Sequence, residues 1–135
     1  MAASTARKTE TVQPEGPAIT ASRPIDLVHL ARQSLGDRGL EIELLGLFVR
    51  QSEQIMDRLG SQMSGSDRRW RHDLAHTLKG SARAIGAGRV AQAAESYEEA
   101  LYAGLCGADM DACTAHLGAL VAEAQAAIAD LLADA

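Results

Sequence analysis

The sequence predicts an all-α protein: an antiparallel four-helix bundle with a short additional N-terminal helix. Three observations lead there. Aromatic residues make up 3% of the chain, against 47% apolar residues overall. The core is therefore aliphatic and lacks the aromatic and β-branched surplus of a β-sandwich. Good helix formers such as Ala, Leu, Glu, Gln and Arg abound, separated by short breaks of Gly, Ser and Asp. Between those breaks apolar residues recur at three- and four-residue spacing. At 135 residues the chain is one domain of ordinary size.

The elements follow in order. Residues 1–23 mix Ala, Ser, Thr, Pro and charges without apolar periodicity and read as a flexible tail or linker ahead of a helical domain over 24–135. Asp26 caps a short helix from Leu27 to Leu35, and Gly36 stops it. Asp37 caps the next, whose apolar positions are Leu44, Leu45, Phe48, Val49, Ile55, Met56 and Leu59. Gly60, Ser64, Gly65 and Ser66 break the chain. Asp67 opens a third helix that ends near Ile85, before Gly86 and Gly88. A fourth, from about Arg89 to Leu105, presents Val90, Ala94, Tyr97, Leu101 and Leu105. Gly107 to Asp111 reads as a turn. A last helix carries Leu117, Leu120, Val121, Ala124, Ile128, Leu131 and Leu132. Short connections favour antiparallel neighbours.

Composition excludes several classes of function. A net charge of −5 is a poor footprint for general nucleic-acid binding. No apolar run reaches about 18 residues, so no membrane span is expected. The polar N-terminus lacks the apolar stretch of a secretory signal. Cys106 and Cys113 fit no metal or redox spacing and read as reduced thiols of a cytoplasmic protein.

The third helix is not a plain structural element. At about 100° per residue, Trp70, Leu74, Leu78, Ser81 and Ile85 share a face that enters the core, with Thr77 and Ala82 on its flanks. His76 points away from it, among Arg69, His72, Asp73, Lys79, Gly80 and Arg83. Gly80 sits mid-helix, where glycine costs about 1 kcal/mol relative to alanine. Such a position suits a close approach by another molecule. Between Asp67 and Arg89 six basic residues face two acids, a local +4 on a chain of −5. The residue types point to phosphoryl transfer. An imidazole has an unperturbed pKa of about 6.5, so its neutral form is a competent nucleophile near neutral pH. The transferring group needs positioning and positive charge, which Lys79 and Arg83 offer one and two turns on.

The run His76-Thr77-Leu78-Lys79-Gly80-Ser81-Ala82-Arg83-Ala84-Ile85-Gly86-Ala87 resembles the signature of the histidine-containing phosphotransfer (HPt) domain family. That pattern is His, then Lys-Gly three and four positions on, small residues, then Gly-Ala. More loosely, the resemblance covers about residues 25–133, including Leu44-Leu45, Phe48 and the neighbourhood of Glu98. It implies a monomeric bundle in which His76 accepts a phosphoryl group from a receiver-domain phospho-aspartate and passes it to another receiver. The partners would be receiver domains of a hybrid histidine kinase and a response regulator. Lys79 would orient the phosphoryl group, Gly80 would leave room for the receiver loop, and Arg83, His72 and Arg69 would join the docking surface. Mg²⁺ would belong to the receiver's acidic pocket, with no cofactor bound by this chain.

No nucleotide-binding motif is present, so a phosphoryl carrier without an ATP site is expected rather than an autonomous kinase. His72 and His76 have an i, i+4 spacing suited to a metal, but no third ligand is evident nearby, and no metal site is expected. His29 and His116 read as structural or solvent-facing. Trp70 reads as packing at the bundle end, Arg68, Arg69 and Arg71 as a solvated face, and Ser81 as bonding to the preceding turn. The alternative function is a non-catalytic four-helix module that grips and regulates a kinase or response regulator. A plain helical assembly protein would need an exposed apolar stripe, and none is expected beyond the needs of the core.

Overall fold

The computed structural model describes residues 23–61 and 68–134. The expected tail over 1–22, the break over 62–66 and the cap Asp67 lie outside the described residues. Within them the chain is all-helical, with no strand. The helices are α1 (Leu27–Ser34), α2 (Arg38–Leu59), α3 (Arg68–Ile85), α4 (Gly88–Tyr102) and α5 (Ala108–Ala133). The four longer helices touch in a closed cycle, α2 to α3 to α4 to α5 and back to α2, while α1 packs on α2 and α3.

Local chemistry sets the boundaries. The Asp26 carboxylate accepts from the backbone N–H of Val28 and His29, both at 3.1 Å, and so starts α1. The helix closes one residue earlier than expected: Leu35 takes up a left-handed φ of 55° and Gly36 follows at 78°. Asp37 accepts from Leu40 N–H at 3.1 Å and starts α2. Two expectations are corrected further on. α4 ends at Tyr102 rather than Leu105, because Gly104 turns the chain at φ 92°. The expected turn over Gly107 to Asp111 is instead the opening of α5, with Gly107 as N-cap and Asp109 and Asp111 in the first helical turn. Those two acids suit the positive end of the helix.

The core is a single aliphatic cluster around Tyr97, the largest fully buried side chain. Leu45, Phe48, Ile55 and Leu59 enter it from α2, Val90, Ala94 and Leu101 from α4, and Leu117, Val121, Ala124 and Ile128 from α5. The face of α3 differs in part from the expected one. Leu78 and Ile85 are buried and Leu74 packs against the core, as expected; Ala75 and Ala82 are also buried, whereas Trp70 and Ser81 are half-buried and Thr77 is exposed. The physical reason is the seam with α4. α3 and α4 pack on each other and each buries alanines, Ala75 and Ala82 on one and Ala91 and Ala94 on the other, and methyl-sized side chains let two backbones approach closely. Ser81 spans to the neighbouring helix rather than to its own preceding turn, donating to Gln51 Oε1 at 2.5 Å.

Two arginines expected on a solvated face close helix ends instead. Arg68 donates to the carbonyls of Leu105, at 2.8 Å, and Leu101, at the C-terminus of α4. Arg71 donates to the Leu59 carbonyl that ends α2 and to the Tyr97 hydroxyl, both at 2.9 Å. A cation there satisfies orphaned carbonyls and suits the negative end of the helix. Cys106 is an exposed free thiol and Cys113 a half-buried one. By length and composition, α5 is apolar enough to cross a membrane, contrary to expectation. Much of that apolar character is alanine, and its Leu, Val and Ile residues are buried in the bundle core or packed against it.

The Gly86-Ala87 pair at the end of α3 is structural. Gly86 has φ 82°, and a Cβ there would stand 2.7 Å from the Asp26 carbonyl oxygen. The Gly86 carbonyl accepts from Asp26 N–H at 2.8 Å, tying α1 to the α3–α4 corner. Gly86→Ala should therefore lose at least about 1–2 kcal/mol of stability. Gly88→Ala, where a Cβ meets nothing within 4 Å, should stay within about 0.5 kcal/mol of the parent. Urea unfolding of both variants checks the contrast, and equal losses would refute it.

Candidate functional site

The site lies where the outer faces of α3 and α4 meet. α4 buries a face running Ala91, Ala94, Glu98, Leu101, at the three- and four-residue spacing of a core stripe. One member of that stripe is an acid. Glu98 is 7% exposed, and a carboxylate so placed needs compensating partners. α3 supplies them. Lys79 Nζ lies 2.6 Å from Glu98 Oε1, with the Lys79 side chain itself 15% exposed. His76 Nδ1 lies 2.8 Å from Glu98 Oε2. His72 Nε2 stands 3.5 Å from the same oxygen. The His72 and His76 rings run parallel, 10° apart in plane, with centroids 6.2 Å apart.

The electrostatics of Glu98 decide the state of His76. Burial by itself raises the Glu98 pKa. Hydrogen bonds from Lys79 and His76, with the charges of Lys79 and His72, outweigh it and hold the group below its ordinary value of 4.5. Glu98 is thus a carboxylate at neutral pH and can only accept. In the neutral ring, Nδ1 of His76 must then carry the hydrogen, and Nε2 keeps its lone pair. The His76 side chain is 66% exposed. A nucleophilic nitrogen on an accessible ring, braced from behind by an ionised carboxylate, is the chemical content of the site.

The structure brings together His72, His76 and Lys79, the expected residues nearest the reacting ring, in one groove with Glu95, Glu98, Glu99, Tyr102 and Ala103. Gly80, Arg83 and Arg69 are exposed on the same side of α3. A Cβ at Gly80 would meet nothing within 4 Å. The fold itself therefore gives no reason for glycine there. Lys79 turns its ammonium to Glu98 rather than outward, and Arg83 reaches Glu95 at 3.5 Å. Arg89 pairs with Glu123 at 2.7 Å. Five of the six basic residues of that segment are accordingly engaged in pairs or helix caps, Arg69 is exposed, and the α4 wall facing His76 is acidic.

The sequence of α3 alone does not single out Glu98 as a site residue. The signal was present on α4, where an acid interrupts a stripe of Ala and Leu and so calls for a cation on the neighbouring helix. No group of three or more potential metal ligands is formed among the described residues.

His76 thus sits on an exposed face of a helical domain, with one ring nitrogen held by a carboxylate and the other open. The chain belongs to the Hpt domain family, whose model matches residues 43–133, more than half of its length. The match contains the whole His76 run and Glu98. Members of the family act in histidine phosphotransfer in phosphorelay signalling and interact with receiver domains. Comparisons with curated proteins and with solved structures give no match.

The Glu98 contacts carry a pH signature. Its pKa is depressed in the folded chain, so its stabilising contribution is complete above the ordinary value of 4.5 and is lost as pH falls through the lower folded value. Glu98→Gln should cost about 1.5–3 kcal/mol at neutral pH, the scale of hydrogen bonds to a charged group. It should also remove that component of the acid-side loss. Unfolding free energies across the acid range for both proteins test this, and parallel curves would refute it.

Proposed function

We propose that this chain is a histidine phosphotransfer protein of a two-component phosphorelay. His76 accepts a phosphoryl group from the phospho-aspartate of one receiver domain and passes it to the aspartate of another. The observation that carries this reading is the His76–Glu98 contact on an exposed ring, which reserves Nε2 for attack. In the forward step a bond forms between Nε2 and phosphorus. The bond from phosphorus to the aspartyl oxygen breaks, and its electron pair returns to the partner's carboxylate. Nδ1 keeps its hydrogen, and the Glu98 carboxylate balances the positive charge the ring acquires. Passing the group on reverses these steps. Lys79 holds Glu98 ionised, and in this reading it also orients the phosphoryl group. Mg²⁺ belongs to the acidic pocket of the receiver.

The bundle underlying this reading runs up-down-up-down. Pairs along each seam support that direction, because residue numbers fall on one helix as they rise on the other. Arg71 meets Leu59 and Ser81 meets Gln51 on the α2–α3 seam. His76 meets Glu98 and Arg83 meets Glu95 on α3–α4. Arg89 meets Glu123 and Tyr97 meets Thr114 on α4–α5. Arg38 meets Leu131 and Ser52 meets Gln125 on α2–α5. We take the protein to act as a cytoplasmic monomer that binds neither nucleic acid nor membrane.

Receiver docking in this reading uses the α2 side of α3 as well as His76. Leu40, Leu44 and Leu47 repeat at helical spacing on α2, and Leu47 is 53% exposed. Leu44 packs partly against the core, whereas Leu40 and Leu47 are exposed, an apolar surface beyond the needs of the core and contrary to expectation. Gln51 continues it and is tied to Ser81, beside Gly80 and one turn from Ala84. Gly80, Arg83, His72 and Arg69 complete the docking set.

Two outcomes follow. Incubation with a phosphorylated receiver and Mg²⁺ should place acid-labile, alkali-stable phosphate on the wild type and none on His76→Gln. Binding of the receiver without label would favour the non-catalytic module. Gly80→Ala should raise the midpoint of thermal unfolding, by the equivalent of about 0.5–1 kcal/mol, while slowing transfer from the receiver. A variant as fast as the parent would remove the docking role of Gly80.

A further inference from the structure

His76 stands between two flanks of unlike chemistry. On the α2 side lie Gly80, Ala84 and the exposed Leu47, with no formal charge among them. On the α4 side lie Glu95, Glu99 and Tyr102, at i, i+4 and i+7 and hence on one helix face. All three line the groove that contains His76. Glu98, between them in sequence, is turned inward to Lys79 and is not part of this outer face. Tyr102 is 94% exposed. A tyrosine so placed offers a rigid apolar ring of the kind that anchors interfaces.

Resting on the phosphotransfer reading, we propose that Glu95, Glu99 and Tyr102 form a specificity surface for a receiver domain that carries an Arg or Lys beside its phosphorylated aspartate. A phospho-aspartate brought to His76 carries negative charge into a groove already edged by two carboxylates. A partner without a countercharge there meets like charge, and like-charge juxtaposition rejects wrong partners. A partner with a basic side chain sets its charge against Glu95 and Glu99 and lays its stem on the Tyr102 ring. Glu95 is open to that exchange. Its present partner Arg83 stands at 3.5 Å, with the two side chains 60% and 49% exposed, and such a surface pair holds weakly. The apolar α2 flank supplies contact area, and the α4 flank selects the partner and sets its orientation.

The test uses the full chain and two forms of one phosphorylated receiver, one with Arg or Lys flanking the aspartyl pocket and one with that residue changed to Glu. Phosphoramidate labelling, which needs no docked protein, first reports whether the His76 site is intact in each variant. Transfer from the basic receiver should be faster at low salt and fall as salt rises. The double variant Glu95→Lys with Glu99→Lys should slow that transfer about tenfold or more and recover it with the Glu-bearing receiver. Tyr102→Ala should slow transfer without altering its salt dependence. Equal rates and equal salt slopes for the wild type and the charge-reversed variant overturn the proposal and leave the carrier function standing. Absence of label on wild-type His76 from both phosphoramidate and receiver overturns the carrier function, and this proposal with it.

Discussion

The buried carboxylate of Glu98 is the constraint on which the site depends. A charge at 7% exposure on the core stripe of α4 is unfavourable unless it is neutralised where it stands. Lys79 does so through one oxygen, at 2.6 Å, and thereby keeps the other oxygen ionised and free to accept from His76 at 2.8 Å. The geometry demands that α3 and α4 lie close together. Both helices bury alanines, Ala75 and Ala82 on α3 and Ala91 and Ala94 on α4, and small side chains suit that approach. Small core residues, an ion pair and an oriented imidazole are therefore parts of one arrangement. Enlarging the seam alanines would push the carboxylate away from the histidine without touching either residue.

How much of this is legible in the chain depends on which residues carry the signal. The caps Asp26 and Asp37 and the apolar repeats of α2 and α5 are local, and the structure places them where the sequence indicates. The exposure of His76 follows from helix periodicity alone. The core face of α3 does not, because its anchors Ala75 and Ala82 are no more apolar to inspection than Ala84, which is exposed. Only the partner helix distinguishes them. Basic residues mislead for the same reason. Arg68 and Arg71 look like a solvated charge run in one dimension, yet they satisfy carbonyls at the ends of α4 and α2, which adjoin them only after packing.

The two glycines of the motif, Gly80 and Gly86, separate what the fold requires from what it does not. Gly86 is enforced by a left-handed φ of 82° and a backbone oxygen 2.7 Å from where a Cβ would stand. Gly80 sits in a regular helix with open space around it, and among the described residues nothing offsets its cost. A residue that the fold disfavours and does not need is explained by something outside the fold. It lies one turn from the open ring of His76, on the side away from the acidic helix, and under the proposed function that is where a receiver would come close.

The same accounting changes the charge picture of the whole face. Lys79, Arg83 and Arg89 each pair with an acid, and Arg68 and Arg71 cap helices. Apart from Arg69, which is exposed, the segment's basic side chains are thus drawn into contacts with acids and carbonyls of other helices. The α4 side of the groove is left with an acidic outer face, Glu95 and Glu99. Long-range attraction of an acidic partner by a basic patch is then a weak account of how partners are chosen. Short-range pairing at the α4 edge has the stronger physical basis, because it acts where the interface closes and water leaves. Attraction between opposite charges and rejection of like charges are both largest there.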